Sequence, residues 1–187
     1  MNYRIRITLP GIKGFFRVYE ASGTNTLYTF HKQIRTDLEF PMDQPILFKA
    51  FDAEGAVVAR WALVDLGKGT VDQIRIADAV KAGVTSFDYF YDIASKKKVI
   101  VTIEAEAPES MVKVPTLMES KGPIPLEFEN GYVAFEDLPE DRRRLPGERR
   151  ASDGDDEDDN DEDDDDDEDD GDEDDGEEED VIYDENE

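Results

Sequence analysis

The sequence contains no cysteine among its 187 residues. A chain without thiols forms no disulfide bond, has no thiolate nucleophile, and builds no zinc or iron–sulfur site from cysteine. The absence is compatible with a reducing compartment, because disulfide-rich proteins are mainly secreted ones.

Histidine is almost absent as well, since His31 is the only one in the chain. A single imidazole excludes metal sites built from several histidines and most Ser-His-Asp catalytic schemes. His31 follows Phe30 in a predicted helix, one position off the apolar stripe, so we expect a half-buried or surface side chain rather than a catalytic one. The sequence indicates no metal ion and no other cofactor.

Long apolar runs are also missing. The N-terminal ten residues, MNYRIRITLP, alternate charged and apolar side chains, whereas a signal peptide needs an unbroken apolar core. A membrane-spanning helix needs roughly 20 predominantly apolar residues in succession, and no run approaches that length. The expected location is therefore the cytoplasm.

Basic residues are absent from the C-terminal fifth of the chain. All 21 Lys and Arg lie at or before Arg150, while 27 of the 49 Asp and Glu lie in residues 151–187. The net charge of −28 thus belongs almost wholly to this segment. Its few sizeable apolar residues, at 181–183, cannot repay the entropy of ordering, so we predict a disordered Asp/Glu tail over 152–187. We assign 139–151 to an Arg-rich linker and 1–138 to one folded domain.

Periodicity predicts the elements of this domain. Period-2 alternation and turn residues predict strands, and spacings of three and four predict helices. The predicted elements are strands at 3–9 and 15–20, a helix at 27–38, strands at 46–51 and 57–61, a short helix at 74–82, a hairpin at 87–104, an edge strand at 111–118 and a weak helix at 131–138. This order predicts an α+β fold: a mostly antiparallel sheet built from hairpins, with one main and one short helix packed on one face. Its ββαβ beginning is similar to a β-grasp arrangement.

The hairpin FDYFYDIASKKKVIVTIE carries most of the candidate site residues. A turn at 95–97 would pair Tyr89 with Ile103 and gather the large apolar side chains on one face. The same register would place Asp88 opposite Glu104 on the other face. Facing carboxylates can begin a metal or acid–base site if a cation, a proton or a basic neighbour lies between them, but the simpler interpretation is a solvated sheet face.

The same hairpin carries a family resemblance. Without gaps, Tyr89, Tyr91, Asp92 and Glu104 match the Tyr, Tyr, Asp and final Glu of the signature Y-x-Y-D-F-G-D-x-W-x-H-x-I-x-L-E, and TLYTFHKQI is similar to a T-L-x-x-L-H-x-x-I helix with His31 at the histidine. On these residues the chain resembles the Ri-plasmid open-reading-frame-three-like family, found on plasmids and as passengers of insertion elements. The resemblance covers roughly residues 3–138. It implies that these five residues are candidate site positions, and it implies no particular activity.

The chain departs from that signature at the hairpin tip. Residues 93–99 read IASKKKV where the family has F-G-D-x-W-x-H, so the signature's second Asp, its Trp and its His are missing. A metal or ligand site that depends on those three would be lost here, while the strand scaffold would remain.

Five arginines stand directly before the acidic tail: Arg142, Arg143, Arg144, Arg149 and Arg150. Guanidinium groups bind phosphate, but the nearest anion is the tail itself, at high effective concentration. We therefore favour an intramolecular, salt-sensitive tail contact over nucleic-acid binding. Two other motifs are weak: residues 67–70 lack the spacing of a phosphate loop, and residues 166–177 match a calcium loop only through their acidic composition.

These features favour a non-enzymatic binding or protein-interaction domain whose polyanionic tail engages a basic partner or masks a basic surface. The partner would be an unknown basic protein or the chain's own basic linker, and neither direct nucleic-acid binding nor membrane association is expected. One alternative is a small-ligand receptor or enzyme that uses Asp88, Asp92, Glu104 and the nearby tyrosines. Another is a nucleic-acid mimic or a chaperone for basic proteins that acts through the tail alone.

Overall fold

The computed structural model describes residues 1–108 and 112–143, which all fall in one compact unit, Met1–Pro146. Within those two ranges seven strands form a single sheet: β1 (Asn2–Thr8), β2 (Phe16–Ser22), β3 (Leu47–Phe51), β4 (Val57–Ala62), β5 (Ser86–Asp92), β6 (Lys97–Ala107) and β7 (Thr116–Lys121). The strand order is β4-β3-β5-β6-β1-β2-β7, and every neighbouring pair is antiparallel. The predicted fold class is confirmed.

Helices α1 (Leu27–Asp37) and α2 (Ile76–Lys81) pack on one face of this sheet and share its hydrophobic core. A third helix, α3 (Pro125–Glu129), follows β7, and 3-10 turns follow at Phe135–Asp137 and Glu140–Arg142. In the described part of the chain, no helix has the length and apolar character needed to cross a membrane.

The core lies between the apolar faces of the strands and of helix α1. Along β1, the side chains of Tyr3, Ile5 and Ile7 are buried and alternate with residues on the opposite face. Helix α1 begins after Thr26, whose hydroxyl accepts a hydrogen bond from the backbone N–H of Thr29. The predicted apolar stripe of this helix is buried against the sheet: Leu27, Phe30, Ile34 and Leu38.

The register of the β5–β6 hairpin differs from the prediction. Tyr89 pairs with Val99 instead of Ile103, and the strands are joined by a turn at 93–96 in which Lys96 has a φ of 56°. Asp92 stabilises the turn by accepting a hydrogen bond from the backbone N–H of Ser95 at 2.9 Å. The observed and predicted registers differ by an even number of residues, so both place Tyr89, Tyr91, Val99 and Val101 on the buried face and the apolar alternation cannot distinguish them. Ile93, which was expected to face Val99, instead lies in the turn and is exposed. The position of the turn at 93–96 therefore determines which register forms.

The C-terminal part of the described domain also differs from the prediction. The edge strand runs from Thr116 to Lys121, later than expected. The helix predicted at 131–138 is wrong, because only a 3-10 turn forms at 135–137, and α3 forms earlier instead. Pro125 occupies the first turn of α3 and Gly131, with a φ of 97°, follows its C-terminal end, an asymmetry typical of short helices.

Candidate functional site

A buried polar network lies between α1 and β5. Nδ1 of His31 and the hydroxyl of Tyr89 are 2.9 Å apart, and Nε of Arg35 donates to the same hydroxyl at 2.8 Å. All three side chains are buried. Because Tyr89 accepts from the guanidinium, its own proton is available to Nδ1 of a neutral imidazole protonated on Nε2; in the other tautomer the phenolic oxygen accepts from Nδ1 as well.

Burial sets the ionisation of this network. It lowers the pKa of His31 to about 4, with the Arg35 charge acting in the same direction, and it raises the pKa of Tyr89 to about 12. His31 is therefore neutral and Tyr89 protonated at neutral pH. The expectation of a half-buried or surface histidine is wrong, because a tyrosine 58 residues away provides a buried partner.

Arg35 extends the network to the loop between α1 and β3. Its guanidinium donates to the carbonyl oxygen of Pro41, and to that of Pro45 at 3.2 Å. These bonds satisfy a buried charge that would otherwise be costly. They also fix the loop that forms one wall of a cavity.

Tyr91 connects this loop to α3. Its ring stacks on that of Phe40, with centroids 4.1 Å apart and planes inclined by 6°. Its hydroxyl donates to Oε1 of Glu129 at 2.9 Å, and Nζ of Lys97 donates to Oε2 of the same carboxylate at 2.5 Å. Burial and the bond to Glu129 raise the pKa of Tyr91, while Glu129 raises the pKa of Lys97. Both groups are protonated at neutral pH.

A cavity of about 220 Å³ opens at this junction between the α1–β3 loop, the end of β5 and α3. Its lining consists of Glu39, Phe40, Pro41, Gln44, Tyr91, Asp92, Lys97, Leu126 and Glu129. A second, more open cavity of about 430 Å³ shares Tyr91, Lys97 and Glu129 with the first and continues past the three lysines of the hairpin tip. These two cavities therefore meet at the Tyr91–Glu129–Lys97 cluster, while a separate cavity of about 390 Å³ lies beside Arg4, Tyr19 and Glu119.

The structure separates the carboxylates of the predicted site. Asp88 pairs in register with Ile100 and forms an ion pair of 2.7 Å with Lys98, so it does not face Glu104. Glu104 instead forms ion pairs with Arg4, at 3.0 Å, and with Arg6. These pairs, led by the hydrogen bond from Arg6, lower the pKa of Glu104. The predicted opposition of two carboxylates is wrong because the β5–β6 register places Ile100 opposite Asp88, while the cations that pair with Glu104 come from β1.

The five candidate positions from the family resemblance fall into three places. His31 and Tyr89 form the buried network, Tyr91 and Asp92 line the smaller cavity, and Glu104 lies on the opposite face of the sheet. The hydrogen bond from the Ser95 backbone lowers the pKa of Asp92, which is ionised at the cavity rim. Across residues 1–108 and 112–143, no three His, Asp or Glu side chains converge as a metal ion would require.

Among the arginines predicted to contact the tail, Arg142 lies in the last 3-10 turn, and Arg143 donates to the backbone oxygens of Leu138, at 2.7 Å, and Glu136, at 3.0 Å. The others (Arg144, Arg149 and Arg150), the acidic tail and the calcium-loop match at 166–177 lie outside the described residues.

Sequence reasoning missed Glu129, Phe40 and the role of Lys97. Glu129 belongs to the helix that was placed too late, although Pro125 and Gly131 mark both ends of α3. Phe40 follows the predicted end of α1, and nothing local indicates that it stacks on Tyr91, which is far away in the sequence. Lys97 was noted only as a departure from the family signature.

Comparison with known proteins identifies a fold and no family. Neither a protein-family model nor a curated protein matches the chain. A solved structure that is similar to it is the crystal structure of a protein of unknown function, MM3350, from Methanosarcina mazei Go1. The two have 16% sequence identity and a TM-score of 0.56 over 66% of this chain and 70% of the other. At this identity the likeness shows a common fold alone.

Proposed function

We propose that the chain is a non-enzymatic protein-interaction domain whose polyanionic C-terminal segment engages a basic partner. The segregation of charge carries this proposal: 27 of the 49 acidic residues follow Arg150 and none of the 21 basic residues does. A dense polyanion attracts cationic surfaces over long distances and accelerates their encounter. Because the first 150 residues are nearly neutral, the long-range attraction belongs to the tail.

The engagement of the domain's carboxylates supports binding over catalysis. General acid–base chemistry uses titratable groups whose pKa values have been moved towards the working pH. Hydrogen bonds instead lower the pKa values of Glu104 and Asp92, away from neutral pH. Asp88 is engaged separately, in an ion pair with Lys98. The alternative of an enzyme or receptor using these three residues has less support, because they do not converge on one cavity.

The proposal has three further parts. The chain would be a divergent relative of the Ri-plasmid open-reading-frame-three-like family, with a cytoplasmic location. Residues 152–187 would remain disordered until a partner binds, as expected for a segment of such charge. In the absence of the partner, the tail would associate with the arginines at 142–150 in a salt-dependent manner.

Affinity capture with three matched baits tests the proposal: the full chain, a variant lacking Ser152–Glu187, and the isolated tail, each at low and high salt. We expect the full chain to retain a basic partner at low salt and the truncated variant to lose it, with an unchanged melting temperature. An identical set of captured proteins with and without the tail would contradict the proposal. If the isolated tail captures the partner as well as the full chain does, the chaperone or mimic alternative replaces it.

A further inference from the structure

The cavity beside Tyr91 has the features of a site for one side chain. Its volume, about 220 Å³, is below the range of roughly 300–1,000 Å³ usual for pockets that hold drug-sized ligands and cofactors. The stacked rings of Phe40 and Tyr91 form part of its wall together with Pro41 and Leu126. Such a cavity accommodates a narrow apolar stem.

The charges at this cavity favour a cation. Three carboxylates line it, those of Glu39, Asp92 and Glu129, against the single ammonium group of Lys97. Glu129 already holds Lys97 and the Tyr91 hydroxyl, whereas Asp92 accepts a hydrogen bond from the Ser95 backbone and pairs in register with Lys97 without a hydrogen bond between their side chains among those described. Among the residues that line this cavity negative charge is therefore in excess, while Lys96 and Lys98 line the adjoining cavity. Asp92 and Glu39 provide carboxylates that an entering cation could meet.

Glu39 occupies this rim in an unfavourable backbone conformation. Its φ is 55°, in the left-handed region where glycine is preferred and where other residues cost about 1 kcal/mol or more. Glycine at this position would relax the backbone and remove the carboxylate. Glu39→Gly should therefore raise the stability of the protein and weaken its binding of a cation.

We propose that this cavity receives the side chain of an arginine from the basic partner. The inference rests on the proposed function and deepens it: the tail would supply long-range, salt-sensitive attraction, and the cavity would supply a short-range anchor. Arginine suits the site better than lysine, because its planar guanidinium group stacks on aromatic rings and forms paired hydrogen bonds with carboxylates, while its stem packs on apolar walls.

The test uses the full-length protein and the peptide acetyl-Gly-Arg-Gly-amide, with the citrulline peptide as its neutral, nearly isosteric control. About 0.5 M NaCl reduces the Debye length to a few ångströms and suppresses nonspecific binding to the tail. Backbone NMR shifts at residues 39–44 and 91–97 report occupation of the cavity. We expect weak saturable binding of the arginine peptide, about tenfold tighter than that of the citrulline peptide, since charge-assisted hydrogen bonds are lost with the charge.

Three variants define the site. Glu129→Gln keeps an acceptor for Tyr91 but removes a charge, and Glu39→Gly removes a charge at the rim, so each should weaken arginine binding about threefold or more. Glu39→Gly should also raise the melting temperature, because glycine relaxes the backbone at this position. Weaker binding by a more stable protein shows that the carboxylate binds the peptide and does not merely support the fold. Glu127→Gln, on the same helix but outside the cavity lining, is the matched control and should leave the affinity unchanged.

Any of three results would contradict the proposed arginine site. The citrulline peptide could bind as tightly as the arginine peptide, the NMR shifts could be confined to the tail, or both cavity variants could keep their affinity. These failures are distinguishable from failure of the proposed function. If tail deletion abolishes capture of the partner while the cavity variants bind the peptide normally, the tail proposal stands and the anchor falls. If tail deletion leaves capture unchanged while the cavity variants lose the peptide, the tail proposal falls and the cavity remains a cation site.

Discussion

The hydroxyl of Tyr91 donates a hydrogen bond of 2.9 Å to Glu129, which lies 38 residues later in the sequence. This bond connects the end of β5 to α3 beside the cavity, where Tyr91 is only 9% exposed. The cavity therefore depends on a contact between the sheet and a helix of five residues.

We expect Tyr91→Phe to lower the free energy of unfolding by about 1 kcal/mol, because it removes a partly buried hydrogen bond to a charged acceptor and leaves the ring stacked on Phe40. Urea titration followed by tryptophan fluorescence measures this. Tyr132→Phe is the control, since the Tyr132 side chain is 48% exposed and should lose a few tenths of a kcal/mol at most. Equal losses in both variants would show that the Glu129 bond contributes nothing specific.

Protonation of His31 should destabilise the fold. Its pKa is about 4 in the folded protein, compared with about 6.5 for an unperturbed imidazole, so the unfolded chain binds more protons in the window between them. Stability is fully present above pH 6.5 and falls as the pH decreases towards 4, by up to about 3 kcal/mol from this group. Asn at position 31 can place an amide atom near the Nδ1 position without titrating.

Unfolding free energies of wild type and His31→Asn, measured from pH 4 to pH 7, check this prediction. Carboxylates titrate in both proteins, so the difference between the two curves isolates the imidazole. We expect the difference to change by more than about 1 kcal/mol across the window. Parallel curves would contradict the assignment of a buried neutral histidine.

Glu104 should act as a surface ion-pair residue rather than as a site residue. We expect Glu104→Gln to cost less than about 1 kcal/mol at low salt and nearly nothing at high salt, because its pairs with Arg4 and Arg6 lie at the surface and are screened. Glu119→Gln is the matched control, since Glu119 also pairs with Arg4. Thermal melts at two salt concentrations measure both. A larger, salt-independent loss in Glu104→Gln alone would indicate a role beyond these pairs.

The segment after α3 should be sensitive to a single methyl group in the β1–β2 turn. A Cβ on Gly14 would lie 2.1 Å from Cβ of Ala134, and Asp137 accepts hydrogen bonds from the backbone N–H groups of Lys13 and Gly14. We expect Gly14→Ala to destabilise the domain by about 1–3 kcal/mol through overpacking. The double variant with Ala134→Gly should recover part of the loss, and chemical denaturation of the four proteins measures the coupling. Additive losses would show that the two sites are not in contact.

The sequence predicted those features of the fold that depend on local pattern. The apolar alternation along β1 and the apolar stripe along α1 correspond to the buried faces of those elements. A strand or helix that buries one face needs apolar residues at its own repeat, so the pattern is visible in the sequence. The same alternation left the β5–β6 register undetermined, since a shift by an even number of residues leaves both faces unchanged. Hydrogen bonding in the turn by Asp92 and Ser95 is a local feature that apolar pattern does not report.

The candidate site was less predictable, because it is assembled from distant segments. His31 was singled out, yet its burial depends on Tyr89, and the cavity depends on Glu129 reaching both Tyr91 and Lys97. No spacing rule relates residues of different elements that meet only in the folded chain. Two of the residues found by resemblance, Tyr91 and Asp92, nevertheless line the cavity, while Glu104 lies on the other face of the sheet.

The central claim is that the polyanionic tail drives association with a basic partner. The most direct measurement is the affinity of the full chain for its captured partner as a function of salt, compared with that of the variant lacking Ser152–Glu187. The account predicts that the logarithm of the association constant falls steeply and linearly with the logarithm of salt concentration in the full chain, and that the truncated variant binds weakly with a shallow slope. Equal affinities and equal slopes for the two proteins would contradict it.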